Sequence, residues 1–146
     1  MMHRIPQSRT MACGIWVKQG SKHESDQQSG ISHLVEHLLI NVENSDRPKF
    51  QERMCDVIAD GVIYNAATTK EYTTFYMSGL NSSLYKCLDA LSMLVTYKPT
   101  FSSNFLELEK KVVLQEATSF YSSFNQIKER TNQALWGTMG VGRPII

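Results

Sequence analysis

The segment "SGISHLVEHLL", residues 29–39, sets two histidines and a glutamate into an otherwise apolar run. That run is too long for a buried strand and suits a core helix over residues 31–40. Burying ionisable groups is costly unless they are paired. Any fold for this chain therefore has to bring a charge partner to this helix. A helix turns about 100° and rises about 1.5 Å per residue, so positions 33 and 37 lie about 40° and about 6 Å apart. Both imidazoles share one face, with Glu36 beside them.

A partner is legible further on. A long helix from about residue 103 to 120 carries an apolar stripe that includes Phe105, Val112, Val113 and Phe120. Extended at helical spacing, the same stripe takes in Glu109 and Glu116. An ordinary amphipathic helix would leave such carboxylates on the solvated side with Lys110, Lys111 and Gln115. Both are expected to face the core and to meet something positive there.

The rest of the chain reads as alternating strands and helices. Residues 11–18, "MACGIWVK", form an apolar, β-branched strand, and 49–59 place Phe50, Met54, Val57 and Ile58 at helical spacing, closed by Gly61. Residues 62–68 and 72–80 read as a hairpin joined through Lys70 and Glu71. Leu84, Cys87, Leu88, Leu91, Leu94 and Val95 predict an amphipathic helix that stops before Pro99. A last helix runs to Trp136, followed by a Gly-rich turn.

Charge and length exclude several classes. The 146 residues suit one domain, expected to span 1–146 without a linker, repeat or low-complexity tract. Fifteen Lys and Arg against fourteen Asp and Glu leave a formal charge of +1, so no basic field points to nucleic acid. No segment approaches the roughly 18 apolar residues of a membrane span, and the opening lacks a signal-peptide run, which predicts a cytoplasmic protein. Cys13, Cys55 and Cys87 are odd in number and form no C-x-x-C pair, so they are expected as buried small apolar residues.

Two neutral imidazoles at i and i+4 and one distant carboxylate make three protein ligands for Zn²⁺, leaving the fourth position for water, as catalytic sites require. Zinc acidifies water and polarises a peptide carbonyl, while Glu36, adjacent to the ligands but not one of them, serves as general base. Glu116 is taken as the third ligand and Glu109 as the partner that orients a ligand histidine. Helix position alone leaves these two roles interchangeable. A storage or regulatory site would use four protein ligands and no base.

The order H-x-x-E-H at 33–37 resembles the inverzincin motif of the pitrilysin, insulysin and mitochondrial processing peptidase family. "GIWVKQGSKHE", "SGISHLVEHLL", "YNAATTKEYTTFYM", "LEKKVVLQEA" and "ALWGTMGVGRPII" follow in family order, with Glu116 79 residues after His37. The resemblance implies an α+β fold, a mainly antiparallel sheet covered by helices. It implies one Zn²⁺ per chain held by His33, His37 and Glu116, with Glu36 as base and Glu109 as the supporting glutamate. It also implies a substrate-pairing strand at Asn65, Ala66, Ala67 and Thr68, where a peptide adds by β-augmentation.

The family continues beyond "GRPII" into the rest of this half and a second half. The chain is therefore expected to be the N-terminal catalytic part of a longer protein, or to work with a homologous subunit as a homo- or heterodimer. "GRPII" itself reads as the start of a strand. The expected activity is zinc-dependent endopeptidase cleavage of peptides or precursor leaders. The short opening is similar to that of bacterial subunits that mature subtilosin-type bacteriocins. The alternative is a catalytically silent peptide-binding or scaffolding subunit, since the family includes members that have lost their ligands.

Overall fold

A computed structural model describes residues 1–41, 47–96, 100–121 and 124–145. The elements are β1 (Thr10–Val17), α1 (Ile31–Ile40), α2 (Arg47–Ala59), β2 (Ile63–Thr68), β3 (Thr73–Leu80), α3 (Leu84–Thr96), α4 (Ser103–Tyr121) and α5 (Asn125–Trp136). The three strands form an antiparallel sheet in the order β1-β3-β2, and the fold is α+β. The central strand β3 carries the sheet's most buried run, Thr73, Thr74, Phe75 and Met77. The polar segment 42–46 and the expected stop at Pro99 lie outside the described residues.

The chain gathers into two compact units. The first comprises Met1–Ile15, Ser45–Asn65 and Phe75–Lys98. Its interior is apolar: Phe50, Met54 and Val57 of α2 and Cys87, Ala90, Leu91 and Leu94 of α3, with Val62, Phe75 and Met77. α2 packs on α3. The buried stripe of α3 is centred one residue away from the expected one, so Ala90 is inside while Leu88 and Val95 are exposed. Ile58 and Cys55 of α2 are also exposed, because each stands about 100° around the helix from the buried Val57 or Met54. Cys87 is buried as expected, and desolvation together with the neighbouring Cys13 pushes its thiol up to about 11.

The second unit comprises Trp16–Asn44, Ala66–Thr74 and Pro99–Ile146. α1 packs on α4, α4 on α5, and α5 on a 3₁₀ turn at Gly140–Gly142. Leu38 and Phe105 are its fully buried apolar residues, while Ser21, Glu24, Ser32, Glu36, Thr73, Thr74, Glu109, Glu129 and Arg143 are buried polar ones. Most of those groups are paired, while Ser32 Oγ and Arg143 Nε have no hydrogen-bond partner among the described residues. The Glu24 carboxylate accepts the Gly30 and Ser32 backbone N–H groups, each at 2.8 Å, and so caps α1 at its positive end. Gly30 takes φ +83 there, a left-handed conformation that suits glycine.

Residues 143–145 pair with no strand among the described residues. The Arg143 carbonyl instead accepts Lys70 Nζ at 2.6 Å, and Lys70 also pairs with Glu129 at 2.7 Å.

The loop before α1 is laced to the β2–β3 turn by Ser21 N–H to Thr69 O and Lys22 N–H to Lys70 O. Gly20 permits this approach. A Cβ at Gly20 would stand 2.4 Å from Thr69 O and 2.8 Å from Glu71 N, both backbone atoms. Its φ of −158° is ordinary extended backbone, so space alone requires glycine. Gly20→Ala is expected to cost at least about 1–3 kcal/mol through overpacking. A denaturant titration checks this, and wild-type stability would show that the two loops are not packed this closely.

Candidate metal centre

α1 forms over Ile31–Ile40, the span its apolar run predicts, and presents His33 and His37 together. The rings meet edge to face with centroids 4.7 Å apart at 89°. Glu116 of α4 reaches the pair. Its Oε2 lies 3.5 Å from His33 Nε2 and 3.4 Å from His37 Nε2. Ligand atoms of all three residues fall within 4.8 Å of one another.

These separations are longer than N–H···O hydrogen bonds of about 2.7–3.2 Å. Two ligands each about 2.0–2.1 Å from a tetrahedral zinc stand about 3.3–3.4 Å apart. The two Glu116 distances match that spacing. Burial, followed by the charge of His37, holds the His33 pKa below its ordinary value, which favours the neutral imidazole a metal needs. The two Glu116 distances and the lowered His33 pKa therefore fit a zinc site.

The supporting groups differ between the two histidines. Glu109 Oε2 stands 3.4 Å from His37 Nδ1 and accepts Asn41 Nδ2 at 3.1 Å. His33 Nδ1 is buried with no hydrogen-bond partner among the described residues. Asn41 was not singled out in the sequence, although it continues the row 33, 37, 41 at four-residue spacing. Glu24 was missed as well, and no periodicity marks it, because its role depends on how the preceding loop folds back.

Only one of the two expected core-facing carboxylates is buried. Glu109 is 5% exposed, whereas the Glu116 side chain is 49% exposed. Seven residues bring the helix back to nearly the same face, so the difference is one of depth along α4. Its fully buried residues, Phe105 and Glu109, both lie in the first two turns. Beside Glu116 a cavity of about 570 Å³ opens, lined by Val112, Gln115, Ser119, Phe120 and Asn125.

Glu36 is buried, 6% exposed, and its Oε2 accepts the Thr68 hydroxyl at 2.5 Å. Burial pushes the Glu36 carboxyl above the ordinary carboxylate value, against the lowering effects of Thr68 and His37. Asn65, Ala66, Ala67 and Thr68 all lie on β2, an edge of the sheet, where Asn65 and Ala67 are exposed and Ala66 and Thr68 half-buried.

The sequence profile of insulinase (peptidase family M16) matches residues 1–146. The chain belongs to the insulinase family. Among M16 relatives, it is 32% identical over 147 residues to the uncharacterized zinc protease YmxG of Bacillus subtilis, covering 100% of this chain and 35% of that protein. It is 26% identical over 134 residues to the beta subunit of the mitochondrial-processing peptidase of Dictyostelium discoideum, covering 91% of this chain and 28% of that subunit. An M16-like peptidase from Alicyclobacillus acidocaldarius superposes with a TM-score of 0.78 at 21% identity, over 97% of this chain and 34% of that one. The chain thus spans about a third of the length of these M16 proteins. No helix among the described residues is long and apolar enough to cross a membrane.

The Glu36 environment has a consequence for stability. The folded state holds the Glu36 proton more tightly than the unfolded chain, so this residue's contribution falls as pH rises through the carboxylate range. In metal-free protein, Glu36→Gln should melt above wild type at pH 7. The gap should close as pH drops below the ordinary glutamate value of about 4.3. Melting curves across that range check both signs; a variant less stable than wild type at pH 7 would contradict the assignment.

Proposed function

We propose that the chain carries the metal and general-base portion of a zinc-dependent endopeptidase. The convergence of His33, His37 and Glu116, with the buried Glu36 next to His37 on the same helix, is the observation that carries this reading. His33, His37 and Glu116 would together hold one zinc per chain. Bound there, zinc supplies Lewis-acid chemistry, acidifying water and polarising a peptide carbonyl. Glu36 takes the proton of the attacking water and passes it to the departing amine, a role suited by a carboxyl whose proton affinity is raised. Glu109 orients His37 through Nδ1 while Asn41 steadies Glu109.

The edge strand β2 supports a peptide substrate bound in extended form, its backbone pairing along Asn65, Ala66 and Ala67. The half-exposed Glu116 and the cavity beside it leave this ligand accessible from outside. Stabilising a transition state also takes donors for the developing oxyanion and walls around the substrate. A homologous second half or subunit is the natural source, and a relative named as a subunit supports that arrangement.

Zinc-reconstituted protein freed of excess metal should hold about one zinc by elemental analysis, and His37→Ala should lower the affinity by at least about 10–100-fold. Glu36→Gln should keep the metal and abolish peptide hydrolysis in the chain combined with its second half. Well-folded protein that holds no zinc, or a Glu36→Gln enzyme that still turns over, would overturn the reading. The two α4 carboxylates separate in the same assay: Glu116→Gln should lose more zinc affinity than Glu109→Gln. The reverse order would exchange their roles.

A further inference from the structure

We infer that Thr68 is a positioning residue for Glu36, its hydroxyl fixing one carboxylate oxygen so that the other faces the reacting water. The inference rests on the reading of Glu36 as the general base. A buried carboxylate can turn about its last torsion, which is broad and roughly two-fold. Only one of its oxygens can be the base at a time. Thr68 Oγ1 donates to Oε2 at 2.5 Å, and Oε1 accepts no hydrogen bond among the described residues. The carboxylate is thereby oriented, with one oxygen taken and one left for the proton.

The hydrogen count makes this donor specific. A threonine hydroxyl carries one hydrogen. Thr73 Oγ1 gives its hydrogen to the Gln19 carbonyl at 2.9 Å, and the two threonine oxygens stand 3.3 Å apart. Thr73 therefore has none left for Thr68, and the Thr68 hydrogen is committed to Glu36. The scaffold holding it is stiff. Thr68 closes β2, its β-branched side chain has few rotamers, and Thr73, itself buried, begins the central strand β3. The Thr69 N–H to Tyr72 O bond at 2.8 Å closes the turn between the two strands. Thr68 acts through its side chain on Glu36, and the substrate-strand contribution expected at this position is carried by its neighbours.

Thr68→Val keeps the side-chain shape and removes the donor, while Thr68→Ser keeps the donor. The first readout is infrared difference spectroscopy of the metal-free chain, with the Glu36 carboxylate band identified by its loss in Glu36→Gln. Thr68→Val should shift that band and Thr68→Ser should return it to the wild-type position. The second readout, in the active assembly, is kinetic: Thr68→Val should lower kcat about 10–100-fold, a magnitude usual for groups that orient catalytic residues, with KM and zinc content unchanged. Thr68→Ser should restore most of kcat. An unmoved band, a serine variant as impaired as valine, or a rise in KM with kcat unchanged would overturn the inference, the last by making Thr68 a substrate contact. Should Thr68→Val fail to fold, Thr68→Ala gives the same readouts. The infrared result needs no metal, so its failure is distinguishable from a failure of the zinc reading.

Discussion

Two imidazoles on one helix and two carboxylates on another can share an interior only if they face each other, and the packing of α1 on α4 depends on this match. His33, His37 and Glu109 are largely out of water and would each be uncompensated alone, whereas Glu116 meets the pair from a half-exposed position. Together they set the spacing of the two helices, because Glu109 has to reach His37 Nδ1 while Glu116 reaches both Nε2 atoms. Apolar contact alone would tolerate sliding of one helix along the other. This polar pattern does not, since a one-turn shift would separate Glu109 from His37 and Glu116 from at least one of the two histidines.

The same logic runs through the unit that contains the site. Apart from Leu38 and Phe105, its buried side chains among the described residues are polar, and most have a specific partner: Glu24 with two backbone N–H groups, Glu129 with Lys70, Glu36 with Thr68. Such pairs contribute little net stability compared with packed hydrocarbon, but they penalise any other arrangement. The first unit is built differently, on α2, α3 and the apolar residues of β3. One part of the chain is stabilised mainly by burial of apolar surface. The other is specified mainly by which polar group meets which.

Much of this was legible in the sequence. The bounds of α1 and the pair at 33 and 37 follow from helical period and an unbroken apolar run, and the hairpin from two β-rich runs around Lys70 and Glu71. Some readings failed for identifiable reasons. Leu88 and Val95 carry apolar side chains at helical spacing, yet α2 covers the neighbouring stripe with Ala90 at its centre. Cys55 was expected inside on residue type alone, and its position around α2 places it outside.

What the sequence determined by itself is angular: period 3.6 puts His33, His37 and Asn41 in one row and Glu109 and Glu116 in another, and no knowledge of the neighbours is needed for that. Only the tertiary structure decided depth and partner. Glu109 is buried and Glu116 half exposed, a difference that α4's own period does not contain. Thr68 meets Glu36, 32 positions earlier in the chain, because a strand end and a helix face are brought together in space. Local periodicity assigns a side chain to a face; what stands opposite that face depends on the rest of the chain.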